Sequence, residues 1–197
     1  RNVAVLIYEK VETLDFAGPF DVFAIASNRG KDFCVYTVSE KLAPINTVSG
    51  ITIYPKYSFD NCPVPDILIV PGGLGSRTEM NNETITNWIR NRADSAELVL
   101  SVCTGSLLLA KACLLDGLKV TTNRMAMDLI REIVPANALI VEEVRYVDNG
   151  KILLSAGVTA GFDMALHVVS RLFGKERALD TASKLEYHWR ENDFLDD

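Results

Sequence analysis

Histidine is nearly absent: the 197-residue chain contains His167 and His188 and no others. Cysteine–histidine catalysis needs an imidazole within hydrogen-bond reach of the sulfur. Neither histidine is placed for that by the sequence. His167 shares four-residue spacing with Asp163 and Arg171, the pattern of a polar helix face, and His188 stands beside Trp189 near the end of the chain. Both are expected to be surface or packing residues. Cysteine is sparse as well. Cys34, Cys62, Cys103 and Cys113 contain no C-x-x-C pair, and with two histidines they make a poor four-ligand zinc set, so no metal is expected. No apolar run approaches the roughly 18 residues of a helical membrane span. Residues 1–8 have the pattern of a strand rather than a targeting peptide, so a cytoplasmic protein with free thiols is expected. Basic charge is in deficit, with 20 Lys and Arg against 26 Asp and Glu and a net charge of −6. That is the wrong sign for phosphates or an anionic membrane face, and neither nucleic acid nor membrane is expected as a partner.

What the chain has in quantity is apolar sequence, 48% of its residues, enough for a full core without disulfides or structural metal. One domain over 1–197 is expected. Residues 2–8, 66–70 and 97–102 are continuous apolar runs of the kind that form strands covered on both faces. Strands are also predicted at 33–38, 51–54, 118–121, 144–147 and 152–155. The last two flank Asn149-Gly150, which favours a tight hairpin turn. Helices are predicted at 18–28, opened by Gly18-Pro19, and at 82–93, 104–115, 125–133, 160–173 and 175–189. Strands alternating with helices make an α/β protein with a mostly parallel sheet and helices on both faces. In such sheets ligands bind beyond the carboxyl ends of the strands, so the loops after Tyr8, Val70 and Val102 are expected to converge.

Those loops carry the unusual residues. Ser101-Val102-Cys103-Thr104-Gly105 puts a cysteine where a buried strand turns into a helix, with small residues two positions before and after it, as a sharp nucleophile turn requires. A sulfur at a helix N-terminus is favoured as thiolate, so a lowered thiol pKa is expected. The alternative, an inert buried cysteine, is the less favoured reading here. Cys34 and Cys113 are expected in the core, and Cys62 in a loop without a role. Pro71-Gly72-Gly73-Leu74-Gly75 is either a plain turn or, with the N–H of Thr104, an oxyanion hole. Asp15 is either a helix-capping or first-turn carboxylate, the reading favoured by its segment alone, or a proton carrier beside Cys103.

Taken together, Leu14-Asp15-Phe16-Ala17-Gly18-Pro19-Phe20-Asp21-Val22-Phe23, Val70-Pro71-Gly72-Gly73, Val102-Cys103-Thr104-Gly105 and the segment from Ser155 to Asp163 resemble the ThiJ/PfpI superfamily, which is class I glutamine amidotransferase-like. The resemblance covers essentially the whole chain and implies a flavodoxin-like three-layer sandwich. The first and last motifs are similar to the isonitrile hydratase branch and to the ligand-sensing domains of AraC-type regulators. In the hydratase branch a cysteine attacks the isonitrile carbon, and water turns the thioimidate into an N-substituted formamide. The resemblance then implies Cys103 as nucleophile, Asp15 as proton-transfer partner, Thr104 as a neighbouring hydrogen-bonding group, and Gly72 and Gly73 as backbone contacts to the substrate. It implies a homodimer and no cofactor. Relatives often carry Thr-Thr-His where this chain has Thr121-Thr122-Asn123, which weighs against peptidase, glyoxalase or deglycase activity. The other readings are a sensor that holds a small molecule or registers oxidant through Cys103 and, as the rival enzyme, glyoxalase- or deglycase-type activity. A DNA-binding regulator is not expected, because the chain runs to Asp197 in an acidic tail rather than into a helix-turn-helix segment.

Overall fold

The computed structural model describes residues 1–191; the acidic tail lies outside them. The apolar runs form the middle of a seven-stranded sheet. From one edge to the other its strands are β10 (Tyr146–Asp148), β11 (Ile152–Ser155), β7 (Leu98–Val102), β6 (Ile67–Val70), β1 (Asn2–Leu6), β2 (Cys34–Ser39) and β5 (Tyr57–Ser58). All neighbours are parallel except β10 and β11, the predicted hairpin around Asn149-Gly150. Two small pairs stand apart: β3 (Ile45–Asn46) with β4 (Thr52–Ile53), and β8 (Lys119–Val120) with β9 (Leu139–Ile140). The segments at 51–54 and 118–121 are therefore strands outside the main sheet.

Strand side chains alternate between two cores. Ala4, Leu6, Leu68, Val70, Val99 and Leu154 belong to one, and Val3, Val5, Ile67, Ile69, Leu100 and Leu153 to the other. The first core is closed by α3 (Glu83–Ser95), α4 (Gly105–Lys111) and α5 (Met127–Ile133). The second is closed by α1 (Thr13–Ala26), α6 (Ala160–Phe173) and α7 (Lys175–Lys184). A short α2 (Ser76–Glu79) follows the glycine loop. The result is three layers, with helices on both faces. Among the described residues no helix is long and apolar enough to cross a membrane.

Several boundaries differ from expectation, and one matters to the site. Helix α1 starts at Thr13, capped by the Glu12 side chain, which accepts from the Thr13 N–H at 3.1 Å. Asp15 thus sits inside the first turn instead of in a loop, and Pro19 falls within the helix, lacking the N–H that would bond to the Asp15 carbonyl. Helix α4 is shorter than predicted. It stops before Cys113, whose φ of 60° ends the helical path and leaves the residue exposed. Cys34 is exposed too, at the very start of β2. Neither is the core cysteine the sequence suggested. Helix α7 ends at Lys184, short of Trp189.

Candidate active site

The loops after β1, β6 and β7 leave three adjacent parallel strands at the same, carboxyl, end of the sheet. Strand β7 runs directly into Cys103, whose φ of 56° lies in the left-handed region. Such a backbone costs about 1–2 kcal/mol for a residue with a Cβ and persists where its surroundings fix it. Here both peptide groups are gripped. The Cys103 N–H donates to the carbonyls of Ser155 and Ala156 at 3.1 and 3.2 Å. Its carbonyl accepts from the hydroxyls of Ser106 at 3.2 Å and Thr122 at 3.0 Å. The small residue two positions on has its own reason: a Cβ on Gly105 would lie 2.0 Å from the Val70 carbonyl oxygen. The sharp strand-to-helix turn predicted from the flanking small residues is present.

The glycine loop and Thr104 lock together. Gly73 N–H donates to Thr104 Oγ1 at 3.0 Å, and Gly72 N–H to Asp15 Oδ2 at 3.2 Å. These are the two N–H groups that the sequence reading assigned to an oxyanion hole. In this structure they point at a hydroxyl and a carboxyl, so the loop positions Thr104 and Asp15, and the backbone donor reaching the sulfur is Thr104 N–H. A Cβ on Gly72 would lie 2.5 Å from both the amide nitrogen and the Oγ1 of Thr104, which is why this position tolerates no side chain.

Asp15 is fully buried. Among the described residues its Oδ1 receives no N–H or O–H, and the other proton donor against the carboxyl is the Cys103 thiol. Burial pushes the carboxyl up to about 7, helped by the Glu12 carboxylate and opposed by the bonds from Cys103 and Gly72. Burial also pushes the thiol up to about 12, and the facing Asp15 carboxylate adds to the rise, against the Thr104 N–H and the Asn123 side chain, which favour thiolate. The expected lowering of the thiol does not occur, because desolvation and a neighbouring negative charge outweigh the end of a seven-residue helix. The groups titrate as a pair. Its first proton leaves near pH 7 and its second near 12. Between these values it holds one proton and one negative charge. Tyr8, which donates to the Pro71 carbonyl at 2.6 Å, is kept a neutral phenol by its burial and by this charge.

At Asn123 opens a cleft of about 370 Å³ whose walls also include Arg124, Met125, Arg145, Val158 and Thr159. The family model for the DJ-1/PfpI family matches residues 1–171. The chain belongs to the DJ-1/PfpI family. It is 36% identical over 186 residues to an isonitrile hydratase of Pseudomonas putida, covering 94% of this chain and 78% of that protein. It is 33% identical over 127 residues to the HTH-type transcriptional regulator GbdR of Pseudomonas aeruginosa, a match over 64% of this chain and 34% of the regulator. Among solved structures, a ThiJ/PfpI family protein from Pseudomonas syringae superposes with a TM-score of 0.86 at 29% identity, covering 96% of this chain and 76% of that one.

Within this DJ-1/PfpI-family site the structure brings together Asp15, Gly72, Gly73, Cys103 and Thr104, all singled out in the sequence. The histidines stand elsewhere. His167 Nε2 lies 2.8 Å from Asp148 Oδ2, and His188 is exposed. Asp163, assigned to a polar helix face with His167 and Arg171, is instead fully buried and bonded to Arg145. The sequence reading did not assign a role at the sulfur to Asn123, because the contact joins segments twenty residues apart; the only signal was its departure from histidine. Among the described residues no group of three or more His, Cys, Asp or Glu is placed to hold a metal ion.

Proposed function

We propose that the protein is an isonitrile hydratase, adding water to a small isonitrile to form an N-substituted formamide. The observation that carries this reading is the buried Cys103–Asp15 pair, which shares one proton and has no histidine hydrogen-bonded to it among the described residues. The 36% identity to the Pseudomonas putida isonitrile hydratase supports it.

The pair rests as Cys103 thiol and Asp15 carboxylate, and reacts from the tautomer in which the proton has passed to Asp15 and the charge to Cys103. The sulfur adds to the isonitrile carbon while Asp15 protonates that carbon, giving a thioimidate, R–N=CH–S–Cys103, and an Asp15 carboxylate. The carboxylate then takes a proton from water as its oxygen adds to the same carbon, and passes that proton to nitrogen. Collapse of the adduct breaks the C–S bond, Asp15 takes the hydroxyl proton, and R–NH–CHO leaves. The pair returns to its starting state. One carboxyl moves every proton, and a value near 7 suits a group that must both give and take. Thr104 N–H faces the sulfur, where charge is lost and regained, and the glycine loop holds Asp15 in line.

The test is to incubate wild type and Cys103→Ala with an aryl isonitrile and follow formamide by chromatography, with methylglyoxal and lactate in parallel. Formamide from wild type and none above background from Cys103→Ala is the expected result. Lactate would move the activity to a glyoxalase. A second reading, a domain that holds a small molecule without converting it, is supported by the likeness to part of a transcriptional regulator; it predicts saturable ligand binding and neither product.

A further inference from the structure

Asn123 begins the single 3₁₀ turn Arg124–Ala126, and its Oδ1 accepts from the Met125 N–H at 2.9 Å. That bond fixes which end of the amide is which: with the oxygen committed to the cap, the amino group is the end turned the other way. It lies against Gly157, where a Cβ would fall 2.3 Å from Asn123 Nδ2. Gly157 directly follows Ala156, whose carbonyl accepts from the Cys103 N–H. The amino group is thus confined on two sides, and it hydrogen-bonds to the Cys103 sulfur. A primary amide is a donor that neither gains nor loses a proton at ordinary pH.

We propose that Asn123 is a further catalytic residue of this site: its side-chain N–H donates to the Cys103 sulfur and stabilises the negative charge there, both when the proton passes to Asp15 and when the sulfur is expelled from the adduct. Gly157 is the positioning residue that leaves room for this amide. The part played in turnover rests on the hydratase reading, whereas the donor contact stands without it. An imidazole at 123 would bring a second proton carrier; the amide leaves Asp15 to carry the proton alone. The titratable neighbours of the sulfur are Asp15 from α1 and Tyr8 from the end of β1, and both are untouched by the variants below.

Asn123→Asp keeps an oxygen for the Met125 cap and replaces the donor by an acceptor. Gly157→Ala keeps Asn123 and crowds its amino group; no positive φ stands in the way of alanine there. Each variant is compared with wild type for the rate of Cys103 alkylation by iodoacetamide across pH, with iodide leaving and a thioether forming, read by intact mass against Cys103→Ala. Far-ultraviolet circular dichroism and thermal unfolding report whether each variant is folded. At pH 8 alkylation is expected to slow by about tenfold in Asn123→Asp, which loses one hydrogen bond to a charged group and also sets a carboxylate beside the sulfur, and by about threefold in Gly157→Ala, which adds no charge and so reads the donor alone. Slower alkylation in both folded variants upholds the donor role whether or not wild type forms formamide. Wild-type alkylation profiles in both would overturn it, even if wild type hydrates isonitriles. Should Asn123→Asp fail to fold, Gly157→Ala alone decides.

Discussion

Two aspartates, each in the first turn of a helix and each fully buried, have opposite surroundings. Asp163 of α6 has every oxygen satisfied: Arg145 Nε donates to Oδ2 at 2.6 Å, the Tyr187 hydroxyl to the same oxygen at 3.0 Å, and the Arg190 N–H to Oδ1 at 2.9 Å. Asp15 of α1 has one backbone N–H and a thiol, with another carboxylate near and, among the described residues, no cation. The first arrangement consumes the charge in holding the 187–190 segment against the sheet. The second leaves the charge unpaid and therefore mobile, so the proton moves between oxygen and sulfur. Burial alone does not distinguish a structural carboxylate from a reactive one; the partner does.

Two variants test that contrast. The largest effect is expected from Asp15→Asn, which removes the only carboxyl of the pair: formamide turnover falls by about 10²–10⁴-fold. In the same variant the alkylation pH profile of Cys103 moves to lower pH, because the facing negative charge is gone. Unchanged turnover with an unchanged thiol profile would reduce Asp15 to a structural carboxylate of the first helical turn. Asp163→Asn is expected to do the reverse. It leaves Arg145 buried beside a neutral amide and lowers stability by about 3–5 kcal/mol in denaturant unfolding, while the Cys103 profile stays where it is.

The smallest effect separates the two by pH. The Asp15 carboxyl is raised in the fold from its ordinary 3.8 to about 7, so the fold prefers it protonated. That preference contributes fully below about pH 4 and is lost as pH rises through about 7. Asp15→Asn therefore stabilises the protein at pH 8 by about 2–4 kcal/mol, and the gain fades toward pH 4. A constant gain across that range would mean that Asp15 is not raised.

How much of this was legible in the sequence follows from how local each signal is. The central strands announced themselves because β1, β6 and β7 are apolar at all but two positions, Asn2 and Ser101, a run that a strand covered on both sides requires. Cys103 was legible because its small neighbours, Ser101 and Gly105, are within two residues of it. Asp163 was misread because its true partners, Arg145 and Tyr187, come from other elements, while the i+4 spacing to His167 and Arg171 suggested a solvated face. The raised thiol went unseen for the same reason: the helix start is local, whereas the burial and the Asp15 carboxylate that outweigh it come together only in the folded chain. Asn123 registered only as a departure from histidine, since neither Gly157 nor Cys103 is near it in the chain.

The residue-by-residue register of the parallel strands sets how this protein can change in length. Val70 is level with Ser101, and Val102 with Ser155. One residue added within Leu98–Val102 would advance everything after it by about 3.3 Å and exchange the faces of the strand. Cys103 would then lie out of step with Asp15, which hangs from a different strand. The turn around Gly150, at the sheet edge, carries no such alignment. Chain-length change should therefore be tolerated at that rim and rejected in the central strands, a difference that a scan of single-residue insertions would show as a map of the sheet.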